Sequence, residues 1–141
     1  MRKIYKVIIY VMIIIILTVL YARFIGTSFL KVKEYPIYSD SVPNDFDGIK
    51  IIHFSDLHYK RAITREKIDK IVDEINLIKP DIVVFTGDLI DKDSIILEDD
   101  IKYLKSTLSK INAKYAKYAV MGNHDYNKIE TVENIYNDAG F

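Results

Sequence analysis

DIVVFTGDLID, running from Asp81 to Asp91, carries the plan of the chain in eleven residues. A short apolar run rich in β-branched residues and bounded by turn formers reads as a strand buried on both faces. Thr86-Gly87-Asp88 ends that run and sets a carboxylate at its carboxyl end. The same grammar recurs on either side. Upstream, IKIIHF (Ile49–Phe54) runs straight into Ser55-Asp56-Leu57-His58, and downstream, KYAVM (Lys117–Met121) runs into Gly122-Asn123-His124-Asp125.

The intervals read as helices. Ile68, Ile71, Val72, Ile75 and Ile78 recur at helical spacing between Thr64, an N-cap residue, and Pro80, which stops the helix just past Lys79. Leu97, Ile101, Leu104, Leu108 and Ile111 mark the inner face of a second helix, and Val132, Ile135 and Tyr136 that of a short third one closing near Gly140. Strand–helix alternation of this kind predicts an α/β fold with a parallel sheet and crossover helices. Ligands of such sheets bind beyond the carboxyl ends of the strands. All three polar clusters fall there, so the topology predicts that Asp56, His58, Asp88, Asn123 and His124 share one rim.

Two carboxylates, an imidazole and an amide oxygen suit manganese, iron, zinc or a similar divalent ion better than calcium, which prefers oxygen alone. Asp56 and His58, two apart on one tight loop, are expected to turn toward one ion. Gly87 allows close backbone approach beside Asp88, whose carboxylate is placed to bridge two ions, while Asn123 offers its amide oxygen to the second. Two ions about 3.5–4 Å apart clamp the attacking and leaving oxygens of an in-line displacement. His124 is the expected proton or hydrogen-bond donor to a leaving oxygen, with Asp125 orienting its ring. Asp91 reads as a hydrogen-bonding partner behind the ligands, and His53, inside a strand, as a packed or hydrogen-bonded residue. Tyr59 and Tyr126, each just after a motif, are candidates to line a substrate cleft.

Asp56-Leu57-His58, Gly87-Asp88-Leu89-Ile90-Asp91 and Gly122-Asn123-His124-Asp125, in that order and each after an apolar strand, resemble the calcineurin-like metallophosphoesterase superfamily. The resemblance covers about residues 48–141. It implies the first half of a layered α-β-β-α sandwich in which two sheets pack between helices. It also implies that Asp56, His58 and Asp88 serve one metal, with Asp88 and Asn123 on the other, in a metal-dependent hydrolase of phosphoester or pyrophosphate bonds. Members place three further histidine ligands downstream, including a Gly-His-x-His segment, whereas the last histidine here is His124. The expectation is therefore a partial domain over 48–141, a fragment with little turnover alone. The alternative is a non-catalytic remnant or binding scaffold that keeps the fold.

Ahead of this region, Arg2, Lys3 and Lys6 precede Val7–Ala22, an apolar run without a charged side chain. At 1.5 Å per residue it covers only about 24 Å, so FIGTSFL (Phe24–Leu30) is expected to extend it, with Arg23 snorkelling. No small-x-small pattern at Ala22 suggests cleavage. Residues 1–31 thus read as a single-pass membrane anchor, with the following domain placed on the extracytoplasmic side. Residues 32–47 read as an edge strand, VKEYPIYS with Pro36 tolerated at an edge, and a linker loop. An anchor before Asp-Leu-His resembles the bacterial branch that includes UDP-diacylglucosamine pyrophosphatase-like enzymes, which implies a lipid-linked substrate as one candidate. Composition narrows the field. Twenty basic residues balance twenty acidic ones, which gives no electrostatic footing for a nucleic-acid partner. With no cysteine in 141 residues, disulfides and thiolate metal sites are excluded.

Overall fold

The computed structural model describes residues 2–22 and 30–141. These form two compact units, residues 1–38 and 39–141.

In the first unit, helix α1 spans Arg2–Tyr21, and its segment Lys3–Tyr21 is long and apolar enough to cross a membrane. None of that segment is buried in protein. Twenty helical residues rise about 30 Å, the thickness of a bilayer's hydrocarbon core. The proposed extension through Arg23 and Phe24 lies outside the described residues. The edge strand expected at VKEYPIYS does not form: residues 31–39 take irregular backbone with exposed side chains. A strand is held by a ladder, and among the described residues of this unit there is no second strand to pair with. Pro36 removes one donor besides.

The second unit is built on three parallel strands, β1 (Ile51–Phe54), β2 (Ile82–Phe85) and β3 (Ala116–Ala119), in the order β1-β2-β3. Helix α2 (Arg65–Ile78) joins the first pair, α3 (Glu98–Leu108) the second, and α4 (Ile129–Ala139) follows β3. Strands β1 and β2 start later than the apolar runs suggest, at Ile51 and Ile82, whereas β3 starts one residue earlier and ends two residues earlier. Asp81 N–H donates to the Lys50 carbonyl, and Lys50 N–H to the Asp81 carboxylate. Thr64 occupies the α2 N-cap position, and Lys79 in left-handed backbone before Pro80 closes the helix. Leu97, expected on the inner face of α3, is instead exposed just ahead of it, and Ile111 is buried just past its end.

In-register partners in a parallel pair project to the same face, so the register assigns each face. Ile52, Phe54, Val83, Phe85, Ala119 and Met121 pack into the core with Ile68, Val72 and Ile75 of α2, Leu104 and Leu108 of α3, and Val132, Ile135 and Tyr136 of α4. Phe85 anchors it, stacked on Phe54 at 4.6 Å and edge-on to Tyr136 at 5.7 Å. The opposite face stays bare: Ile51, Tyr118 and Val120 are each more than half exposed. Among the described residues of this unit, helices cover one side only.

Truncating Phe85 to Ala removes a ring with no solvent exposure and is expected to destabilise the fold by about 3–5 kcal/mol in urea denaturation. Leu77→Ala, on the exposed side of α2, should change stability by less than about 0.5 kcal/mol.

Candidate metal centre

Each strand ends in a loop that turns sharply at the same rim, and the loops after β1 and β2 are stitched together. The N–H groups of Asp56, His58 and Tyr59 donate to the carbonyls of Gly87, Asp88 and Leu89 at 2.9–3.0 Å. That stitching requires unusual backbone. Asp56, His58, Lys60 and Asp88 all take positive φ, between 43° and 71°, a region costing L-residues roughly 1–2 kcal/mol each. Such residues cluster where the surrounding structure fixes them for a purpose.

The loops after β2 and β3 meet more closely still. Gly87 sits at φ 91°, and a Cβ on it would lie 2.1 Å from the Gly122 nitrogen. A Cβ on Gly122 would lie 2.2 Å from Asp88 Oδ1. Neither position admits a side chain. The close approach expected of Gly87 is present, and Gly122 shares it.

On this frame Asp56, His58 and Asp88 converge. His58 Nε2 is 3.6 Å from Asp56 Oδ1 and 3.6 Å from Asp88 Oδ2, too far to be hydrogen bonds. Ligands about 2.1 Å from one ion stand about 3.0–3.4 Å apart at right or tetrahedral angles, so this spacing fits a shared cation after a slight contraction. A second sign is the buried Nδ1 of His58, which has no hydrogen-bond partner among the described residues, with the Asp91 carboxylate 3.8 Å away. A metal-held imidazole normally gives its other N–H to such a carboxylate. The donor set fits a divalent ion. His124 joins the group: its ring meets His58 edge-on at 4.5 Å, and ligand atoms of His58, Asp88 and His124 lie within 4.8 Å of one another. Asn123 is exposed, between Gly122 and His124, whose N–H donates to Asp88 Oδ1 at 2.8 Å.

Asp125 does something the sequence did not suggest. Fully buried, its carboxylate accepts from the N–H groups of Asp88, Leu89 and Gly122 at 2.8–3.0 Å, with Ile90 N–H at 3.4 Å. Its oxygens hold backbone rather than the adjacent imidazole. The carboxylate beside His124 is Asp91, whose Oδ2 is 3.3 Å from Nδ1. Asp91 also receives Arg61 Nη1 at 3.2 Å. Burial works to raise the Asp91 carboxyl, but the Asp93 N–H, Arg61 and His124 outweigh it and hold the group below its usual range. Asp91 thus stands behind both imidazoles, a wider part than a single hydrogen-bonding partner. His53 is exposed rather than packed, and it hydrogen-bonds Thr86 Oγ1 at 2.8 Å, the other part expected of it. Tyr59, expected at a cleft, is buried with its hydroxyl on Asp100, while Tyr126 is exposed.

A model of the family described as calcineurin-like phosphoesterase matches residues 49–141. An uncharacterised metallophosphoesterase of Bacillus subtilis (strain 168), YkuE, is 37% identical over 109 residues, which cover 75% of this chain and 36% of that protein. A transmembrane protein with metallophosphoesterase domain from Danio rerio is 30% identical over 99 residues, 68% of this chain and 21% of its own length. The UDP-2,3-diacylglucosamine pyrophosphatase LpxG of Chlamydia muridarum (strain MoPn / Nigg) is 29% identical over 111 residues, 79% of this chain and 33% of its own length. The chain spans about a third of the length of YkuE and LpxG. No solved structure matches it.

Gly87→Ala is expected to abolish folding or cost more than about 3 kcal/mol by thermal melting, while Gly48→Ala, also at positive φ but in open space, costs about 1 kcal/mol. Asp125→Asn turns an amide NH2 toward N–H donors and should lose about 2–4 kcal/mol in urea denaturation. A residue whose only part was to orient His124 would show no such loss.

Proposed function

Because the chain belongs to the calcineurin-like phosphoesterase family, we propose that its strand-tip cluster is part of a two-metal site that hydrolyses a phosphoester or pyrophosphate bond. The observation that carries this reading is His58 Nε2 standing 3.6 Å from both Asp56 and Asp88. Asp56, His58 and Asp88 would hold one ion, and Asp88 and Asn123 the other. Bound there, divalent ions supply positive charge that stabilises phosphoryl oxygens and lowers the pKa of water. The remaining ligands come, on this proposal, from residues beyond this segment, in keeping with the share of each relative that it covers.

His124 is assigned the leaving group. With Nδ1 beside the Asp91 carboxylate, Nε2 is the nitrogen left to give a proton to the oxygen released when the P–O bond breaks. Asp125 serves the same chemistry indirectly, by fixing the loops that carry Asp88 and His124. Arg61 keeps Asp91 charged from the outer side.

Helix α1 is proposed as a single-pass anchor and the domain as extracytoplasmic. The apolar segment Lys3–Tyr21 supports the anchor, as does a relative named as a transmembrane protein. A pyrophosphate bond in a lipid-linked substrate is the favoured target, supported by the likeness to a protein named as a pyrophosphatase of a diacylated sugar nucleotide.

The full chain in detergent micelles, titrated with Mn²⁺, should show saturable binding that Asp88→Asn weakens by more than about tenfold, since outer-shell changes alone cost 10–100-fold. Absence of any saturable Mn²⁺ binding by the unaltered chain would sink the reading.

A further inference from the structure

The acidic run Glu98-Asp99-Asp100 opens α3, where negative charge is favoured by the helix dipole and needs no other account. Two of its members fit that description. Glu98 and Asp99 are exposed, whereas Asp100 is buried, its side chain only 4% accessible. Only one of its contacts is the ordinary helix cap, Leu97 N–H to Oδ2 at 3.0 Å. The other three come from the segment that follows His58. Lys60 Nζ lies 2.5 Å from Oδ2, the Tyr59 hydroxyl donates to Oδ1 at 2.9 Å, and Arg65 Nη2 donates to Oδ1 at 2.9 Å.

We infer that Asp100 is a positioning residue for the metal centre, a clamp that holds the His58 turn in its left-handed backbone so that the imidazole faces Asp56 and Asp88. The inference rests on the proposed metal site. Its physical ground is the strain at that turn. His58 and Lys60 both take positive φ, and the carbonyl of His58 accepts from Arg61 and Ala62 N–H in a tight reversal. Neither residue relieves that strain by itself, and a lysine has no special tolerance for the region. Burial would raise the Asp100 carboxyl, yet Lys60, Arg65, the Leu97 N–H and Tyr59 hold it well below the usual carboxylate range. It therefore stays charged and pulls on the turn from the outside. Arg65 spans the gap to the start of α2, so one carboxylate ties the His58 turn, α2 and α3 together.

The test uses the full chain in detergent micelles, with Mn²⁺ as probe and backbone amide exchange as a metal-free readout. Asp100→Asn should weaken Mn²⁺ binding about tenfold at a temperature where circular dichroism shows it folded. Without metal, exchange at the His58 and Tyr59 N–H groups should speed up while that at Val83 and Phe85 of β2 stays as it was. Lys60→Met, which leaves the helix cap intact, should repeat both effects if Asp100→Asn is too unstable to study. Asp99→Asn, an exposed partner of Arg65, should change neither. Unaltered exchange at His58 and Tyr59 in both Asp100→Asn and Lys60→Met would overturn the clamp. So would wild-type Mn²⁺ affinity in both. An unaltered chain that binds no Mn²⁺ would instead remove the metal reading, and exchange would still judge the clamp.

Discussion

The carboxylate of Asp125 accepts backbone N–H groups from two loops that lie more than thirty residues apart in the chain. Burying an ionised group is tolerable only when its lone pairs are filled, and bonds to a charged acceptor are the stronger kind. The arrangement therefore fixes Asp88, Leu89 and Gly122 to one another, and the rest of the rim follows from it. Gly87 and Gly122 come too close for any side chain, Asp88 reaches the His124 N–H, and the β1 loop lays its own N–H groups on the carbonyls of the β2 loop. Tyr136 of α4 packs nearby, its phenol pushed up by burial and then by Asp125, so it remains neutral. The core and the candidate site thus share one fastening.

Much of this was legible from residue order. The helix faces built on Ile68, Val72 and Ile75, or on Val132, Ile135 and Tyr136, follow from a periodicity that packing does not overrule. The meeting of Asp56, His58 and Asp88 follows from topology, because parallel strands put their carboxyl ends on one side. What escaped was the work of individual aspartates. Asp91, Asp100 and Asp125 look alike in a sequence, and each acquires its part from groups far along the chain: two imidazoles, a lysine with an arginine, and a set of backbone N–H groups. Tyr59 was misplaced for the same reason, since its hydroxyl finds its acceptor in Asp100, far along the chain. The strand expected at residues 32–39 failed differently, because composition favours extension but only a neighbour supplies the ladder.

The sheet is finished on one side only. Helices cover Val83 and Phe85, while Ile51, Tyr118 and Val120 face outward from neighbouring strands. A parallel sheet is ordinarily buried on both faces, and among the described residues this one is covered on a single face.

The positive-φ backbone at Asp56, His58 and Asp88 bears on how such a chain responds to selection. Aspartate and histidine are among the side chains that best endure that conformation, yet glycine endures it better. Glycine at any of the three would gain about 1 kcal/mol of backbone relief and forfeit a ligand atom. A population chosen only for resistance to heat would drift toward glycine there and lose its grip on cations, leaving a sturdier fold with nothing at its rim.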